Sequence, residues 1–262
     1  MFNNSGIIFL FLSILFLSSC RKDNGQVVSI VKENYTIQEQ KTLGLQLDEV
    51  YQSQFTILSE DDYSDAYEYI TTLYSMLVRT PSVELRDSLD WGVKIIEDNS
   101  KYQIYVSPSG FMYITTGLLQ QLVAENQLVS LMAHEIYYLE SGAAFDLVKA
   151  KNDPLEVGKV ILGETSTKID EMANTLLFAP FSENVIKRAD GFEVGLLCPF
   201  KYNTTGLIDV YNNDVIHSSL GQTMPWSSER AAHIVLISQG CGEDDSLFVE
   251  RYNMFKESSL PK

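Results

Sequence analysis

The stretch from residue 102 to residue 140 constrains the fold most, because it sets out strands, a turn and helices in close succession. Residues 102–106 alternate with period two, residues 107–110 have the composition of a turn, and residues 111–115 have a second strand pattern. Residues 117–124 and 127–140 continue with apolar residues at helical spacing. The sequence therefore predicts a β-hairpin followed by two helices.

Helical periodicity dominates the rest of the chain. The other stretches with apolar residues at helical spacing are 61–79, 83–97, 155–177, 183–197 and 227–238. Residues 37–58 have no strong period. A chain of 262 residues is long enough for one sizeable core. We predict the α+β class, with a single, mostly helical domain over residues 46–262 that contains a small β-sheet or hairpin.

The N-terminus has the pattern of a targeting segment. Residues 7–17 are apolar but too few for a membrane span, and Leu17-Ser18-Ser19-Cys20 resembles the lipobox of bacterial lipoproteins. The resemblance implies a signal peptide over residues 1–19, a lipid on Cys20 and a polar tether over residues 20–45. Arg21 after the cysteine favours the outer membrane of a bacterial envelope, with its face undetermined. Because no Lys or Arg precedes the apolar run, an uncleaved signal anchor is the alternative.

Charge and cysteine content limit the partners. The formal net charge of −16 argues against nucleic-acid binding, which requires clustered Lys and Arg side chains to neutralise phosphates. Secretion would place Cys198 and Cys241 in an oxidising compartment. The sequence leaves open whether these two cysteines form a disulfide or remain free thiols.

A His-Glu pair lies inside the helical pattern of residues 127–140. In zinc peptidases of the H-E-x-x-H type, two histidines at i and i+4 bind one ion, and the Glu acts as general base on the metal-bound water. Here His134 and Glu135 are present, but Tyr138 stands at the fifth position. Four residues of such a motif are weak support for a metal site, so the surrounding sequence decides.

That surrounding sequence has a specific order of short motifs. They are Ile104–Val106, Pro108, Gly110, Phe111–Thr115, Gly117-Leu118-Leu119, Glu125, Leu128, His134-Glu135, Phe181-Ser182, Ala189-Asp190, Pro225 and Ser228-Glu229-Arg230. Their order and spacing resemble the zinc metallopeptidases of the Ste/HtpX type, peptidase family M48, over most of residues 80–238. The resemblance implies a zincin fold of the gluzincin type, built around the His-Glu helix.

The departures from the family pattern bear on function. The resemblance assigns His134 as the first zinc ligand and Glu135 as the general base, both vestigial here. Tyr138 and Ile186 stand where the family has its other two ligands. Two further family positions, an Arg and a His, fall at Glu183 and Met224. Because catalytic zinc sites use three protein ligands and a water, we expect no cofactor.

Two alternatives remain for the metal. Asp190 and Arg230 match family residues that support the ligands, and a repurposed site would gather His134, Tyr138 and Asp190, with Glu183 nearby. In that case the chain would be an active zinc metalloendopeptidase with altered ligands. We expect His217 and His233 to have surface or packing roles.

Without a metal, His134 and Glu135 would form a polar core pair. Tyr138 would then hydrogen-bond within the site, and Lys187 or Arg188 would compensate the charge of Glu135. The corresponding function is a lipid-anchored pseudopeptidase that binds a peptide or an unfolded envelope protein along a sheet edge. A structural envelope lipoprotein is a third interpretation.

Overall fold

The computed structural model describes residues 31–32, 35–242 and 246–261. The predicted signal peptide and the predicted lipidation of Cys20 lie outside these residues. Within the described ranges, no helix has both the length and the apolar character required to cross a bilayer.

The strands form two small sheets. Their bounds are β1 Val31–Lys32, β2 Tyr35–Thr36, β3 Gly92–Ile96, β4 Ile104–Val106 and β5 Phe111–Thr115. The first two pair antiparallel, and the other three form a sheet of order β3-β5-β4. Strands β4 and β5 form the predicted hairpin, with Ile104 opposite Ile114. Strand β3 runs parallel to β5.

Helices account for most of the described residues. Their bounds are α1 Ile37–Gln54, α2 Ser64–Val78, α3 Thr116–Gln121, α4 Glu125–Glu140, α5 Ala143–Lys151, α6 Pro154–Ile161, α7 Ile169–Phe178, α8 Glu183–Leu197, α9 Gly206–Tyr211, α10 Asp214–Leu220, α11 Ser228–Ile237 and α12 Ser246–Ser259. The fold class is confirmed: a mostly helical single domain carries one small three-stranded sheet and a zincin-like His-Glu helix.

Two helices predicted from periodicity are wrong. Residues 83–97 form turns and then strand β3, because Gly92 and the β-branched Val93, Ile95 and Ile96 favour extended backbone. The turns are fixed by the Glu140 carboxylate, which accepts hydrogen bonds from the backbone N–H groups of residues 84 and 85. The long helix predicted for residues 155–177 is two helices, α6 and α7, interrupted where Gly163 adopts φ +78°.

Helix α1 is the largest element that periodicity missed. It begins at Ile37 with a capping box between Thr36 and Glu39, so residue 46, the predicted start of the domain, lies inside it. Its inner face contains polar side chains where the helical pattern requires apolar ones. Gln40 is fully buried and its Nε2 donates to the carbonyl oxygens of residues 108 and 139. Buried polar residues of this kind hide the apolar period.

Helix α4 runs through the centre of the core. All of its residues except Tyr137 are buried. Its first residue, Glu125, is a fully buried carboxylate that accepts hydrogen bonds from Tyr69 and Tyr202 and a two-pronged one from Arg251 of α12. The N-terminus of the site helix is thereby tied to the C-terminal helix of the chain.

Candidate functional site

Helices α4 and α8 bring the predicted site positions together. On α4, His134 and Tyr138 are one turn apart, both fully buried, with ring centroids 5.1 Å apart and nearly perpendicular. On α8, Ile186 and Asp190 are also one turn apart and buried, and the Ile186 backbone lies close enough to His134 to influence its pKa. Ser182 caps α8 through the backbone N–H of residue 185, which fixes where this helix begins.

A third helix completes the cluster with Arg230. The guanidinium of Arg230 on α11 donates two parallel hydrogen bonds to Asp190, from Nε to Oδ2 at 2.8 Å and from Nη2 to Oδ1 at 2.5 Å. His134 Nε2 lies 3.1 Å from Asp190 Oδ1 and 3.2 Å from Arg230 Nη2. Such a fork is the strong, geometrically specific form of a charge-assisted pair. We call His134, Asp190 and Arg230 the triad.

Aromatic side chains hold Arg230 in place. Its guanidinium carbon lies 4.7 Å from the Trp226 ring centroid and 5.6 Å from that of Tyr211, and the two rings stack on each other at 4.3 Å. Arg230 Nη1 also donates to the Pro225 carbonyl at 2.9 Å. Cation–π contacts of this kind favour a charged guanidinium over a neutral side chain. Tyr211 and Trp226 were not predicted, because their only local signal is two aromatic residues in a polar stretch.

The pKa shifts within the triad indicate a neutral His134 ring and an ion pair between Asp190 and Arg230. Burial lowers the pKa of His134, although the hydrogen bond to Asp190 partly opposes this, so the ring is neutral at pH 7. Burial raises the pKa of Asp190, but hydrogen bonds from His134 and Arg230 outweigh it and leave that pKa below the usual value. The fully buried carboxylate is therefore ionised and matched by one cation.

Glu135 has a different environment from the predicted one. It is buried, and desolvation raises its pKa well above the usual range, which favours the protonated, neutral carboxyl group. Lys187 and Arg188, predicted to compensate it, both point to solvent. The prediction was wrong because these two residues lie on the outer face of α8. Arg230 provides the buried cation instead, and it pairs with Asp190.

Tyr138 also departs from its predicted role. Its hydroxyl has no hydrogen-bond partner within the described part of the chain, whereas its ring stacks on Phe181 at 3.7 Å between centroids. Burial raises the pKa of Tyr138 well above its ordinary value, so it is a neutral phenol. The predicted hydrogen bond within the site is wrong, because stacking on Phe181 and the edge contact with His134 orient the ring.

The residues present do not fit a catalytic zinc ion. At two of the three expected ligand positions the donor atom is missing or unsuitable. Ile186 has no donor atom in its side chain, and Tyr138 has a neutral hydroxyl instead of a phenolate. His134 Nε2 is engaged by Asp190 and lies beside a guanidinium, which would repel a second cation. Glu183 and His217 are exposed, and Met224 is buried with its carbonyl bonded to Tyr211. No described group of three or more His, Cys, Asp or Glu side chains is arranged to hold a metal.

The protonation of Glu135 gives a testable pH dependence. Because its folded pKa is raised above the unfolded value of about 4.5, the folded chain keeps a proton that the unfolded chain releases. Stability is therefore lost as pH rises above that value, by at most about 1.4 kcal/mol per pH unit. We expect Glu135→Gln to match the parent near pH 4 and to be the more stable protein near pH 8, in urea unfolding.

The matched control for that experiment is Glu183→Gln, the same change at an exposed position on α8. It should change the free energy of unfolding by no more than about 0.5 kcal/mol at either pH. A Glu135→Gln variant that is less stable than the parent near pH 8 would show that the carboxylate is ionised and paired.

Comparison with known proteins supplies the family. The model of Peptidase family M48 matches residues 67–237, which include the hairpin, the site helix α4, helix α8 and Arg230. No curated protein matches the chain. The matched region covers well over half of the 262 residues. Together with the zincin-like arrangement of α4 and α8, this match shows that the chain belongs to peptidase family M48.

Proposed function

We propose that this metallopeptidase-like protein is a pseudopeptidase, anchored to the cell envelope by a lipid on Cys20. The observation that carries the proposal is the chemistry of the other two ligand positions, where Ile186 has no donor atom and the Tyr138 ring stacks on Phe181. A guanidinium also lies beside His134 Nε2, at the first ligand position. Asp190 is neutralised by that cation, so the helix pair needs no metal to compensate its buried charge.

The chemistry of hydrolysis supports the same conclusion. A catalytic zinc ion lowers the pKa of its bound water from 15.7 to about 7, and a general base then takes up the proton. A guanidinium cannot coordinate water in this way. Burial raises the pKa of Glu135 and so disfavours the carboxylate that acts as general base. The chain thus lacks two zinc donors and disfavours the basic form of Glu135.

The partner we propose is an extended peptide or unfolded envelope protein, the kind of ligand that the family fold accommodates without chemistry. Both edge strands of the sheet leave little room for the predicted addition of a peptide strand. All three residues of β4 are buried, and Ile96 of β3 already forms a bridge with Ile57. We propose the contact instead on the surface of α8 and α11 beside Arg230, formed by Glu183, Lys187, Ser227, Glu229 and His233. Polar side chains of both charges suit a peptide backbone and its polar side chains.

The experiment combines cleavage and binding on one substrate. We expect the full chain in detergent to leave a fluorescent, extended peptide intact with or without zinc, and to bind it by fluorescence anisotropy. The double charge reversal Glu183→Lys and Lys187→Glu should weaken binding, while Arg188→Glu, exposed on the same helix, should not. Zinc-dependent cleavage that disappears in Glu135→Gln would instead identify an active enzyme with altered ligands. Absence of binding would contradict the proposal and favour the third interpretation, a structural lipoprotein.

A further inference from the structure

We propose that the outer face of helix α6 docks on the lipid bilayer that holds the anchor. The face is defined by Leu155 in α6 and Leu162 immediately after it. They are the two most exposed large hydrophobic side chains among the described residues, at 70% and 75%. Because they are seven residues apart, two helical turns place them on the same side. The inference rests on the proposed lipid anchor.

The inner side of α6 packs against the core, so the fold does not require the outward-facing leucines. Val157 and Val160 are buried, and the Val160 carbonyl accepts a hydrogen bond from Gln46 of α1. The helix is also well formed, with Asp153 capping its first turn and Pro154 at its start. Leucines on a rigid, capped helix can insert into the boundary of a bilayer without rearrangement of the protein.

The position of α6 relative to the N-terminal segment identifies the bilayer as the occupant. Strand β1 pairs with β2, so Val31 lies opposite Thr36 and next to Tyr35, whose ring packs on Phe145 of α5 at 4.3 Å. Nine residues separate Phe145 from Leu155, which limits their distance to roughly 25 Å. The 10 residues between Cys20 and Val31 span at most roughly 40 Å. The tether therefore allows this end of the domain to reach the membrane.

Charge agrees with that orientation. From Lys149 to Lys168 the chain has four lysines and three acidic residues, whereas the whole chain has a net charge of −16. Lys151 is exposed at the end of α5, four residues before Leu155 in sequence. An acidic protein would be repelled by anionic lipid over most of its surface. In this segment the charges nearly balance: Lys159 and Lys168 pair with Glu156 and Glu171, and Lys151 can reach lipid phosphates.

The test uses the full lipidated chain in vesicles of phosphatidylethanolamine and phosphatidylglycerol with brominated acyl chains. Leu155→Trp and Leu162→Trp report contact with lipid by quenching of tryptophan fluorescence, after subtraction of the parent signal from Trp91 and Trp226. The matched control is Leu236→Trp on α11, where the leucine is 63% exposed. We expect the α6 variants to be quenched at least about twofold more than the control, because an inserted apolar side chain lies about 5–10 Å inside the boundary.

Flotation of the same vesicles separates the possible failures. If the chain floats but the α6 variants are quenched no more than Leu236→Trp, docking is overturned and the anchor stands. A chain that does not float overturns both. If the variants show the expected quenching, hydrogen exchange of α6 is compared with and without vesicles. The double variant Leu155→Glu with Leu162→Glu should lose the extra protection that vesicles give to α6. Persistence of that extra protection would overturn the proposal.

Discussion

Replacing Arg230 by Met should lower the free energy of unfolding by about 3–5 kcal/mol, because it leaves the Asp190 carboxylate buried without its cation. Met keeps much of the volume and can still contact Trp226 and Tyr211, so the loss reports mainly on the ion pair. The effect should appear in urea unfolding at neutral pH as a lower midpoint with an unchanged slope.

Two further variants make that result specific. Asp190→Asn in the Arg230→Met background should recover part of the lost stability, because the uncompensated charge is removed along with its partner. Arg188→Met, at an exposed position on α8, should change stability by no more than about 0.5 kcal/mol. If Arg230→Met costs less than about 1 kcal/mol, Asp190 is not held as a buried ion and the triad does not stabilise the site.

Removing the disulfide should have an effect of similar size. The structure joins Cys198, at the end of α8, to Cys241, 43 residues later, with their Cα atoms 5.0 Å apart. The closed loop contains α9, α10 and α11, and therefore also Arg230. In the chain-entropy account a loop of this length stabilises the folded state by about 4 kcal/mol. We expect Cys198→Ser with Cys241→Ser to lose about that much in urea unfolding.

A reducing agent provides the control for the disulfide. It should destabilise the parent to a similar extent and leave the double Ser variant unchanged. If thiol titration of the denatured, unreduced chain finds Cys198 and Cys241 both free, the cysteines do not pair and this stabilisation does not exist. Helix α11 would then be held against α8 by packing and by the ion pair between Arg230 and Asp190.

The sequence carried the parts of the site that depend on local spacing. His134 and Tyr138 are four residues apart, and so are Ile186 and Asp190, so each pair lies on one face of its helix. The resemblance to peptidase family M48 related these helices to each other and brought Arg230 to the same site. The hairpin and helices α2, α4, α8 and α11 were likewise predictable, because their periods are regular over their whole length.

The errors arose where long-range contacts override local pattern. Leu85 and Leu89 have helical spacing with Val93 and Ile96, yet their segment turns because the distant Glu140 binds its backbone. The buried cation was not predictable from charge alone: Lys187 and Arg188 were predicted to compensate Glu135, whereas Arg230 is buried and pairs with Asp190. Whether a buried hydroxyl such as that of Tyr138 has a hydrogen-bond partner also depends on tertiary packing, which periodicity does not predict.

The most direct test of the central claim, that the site with Tyr138 and Ile186 at two ligand positions binds no zinc, is the metal content of the full chain. The purified protein would receive one equivalent of zinc, be dialysed against a weak chelator and be examined by elemental analysis. Tyr138→His with Ile186→Glu, which restores an imidazole and a carboxylate at the two altered positions, is the control expected to retain more zinc. We predict close to no zinc per parent chain. A value close to one ion per chain would contradict the account and show that His134 has acquired other ligands.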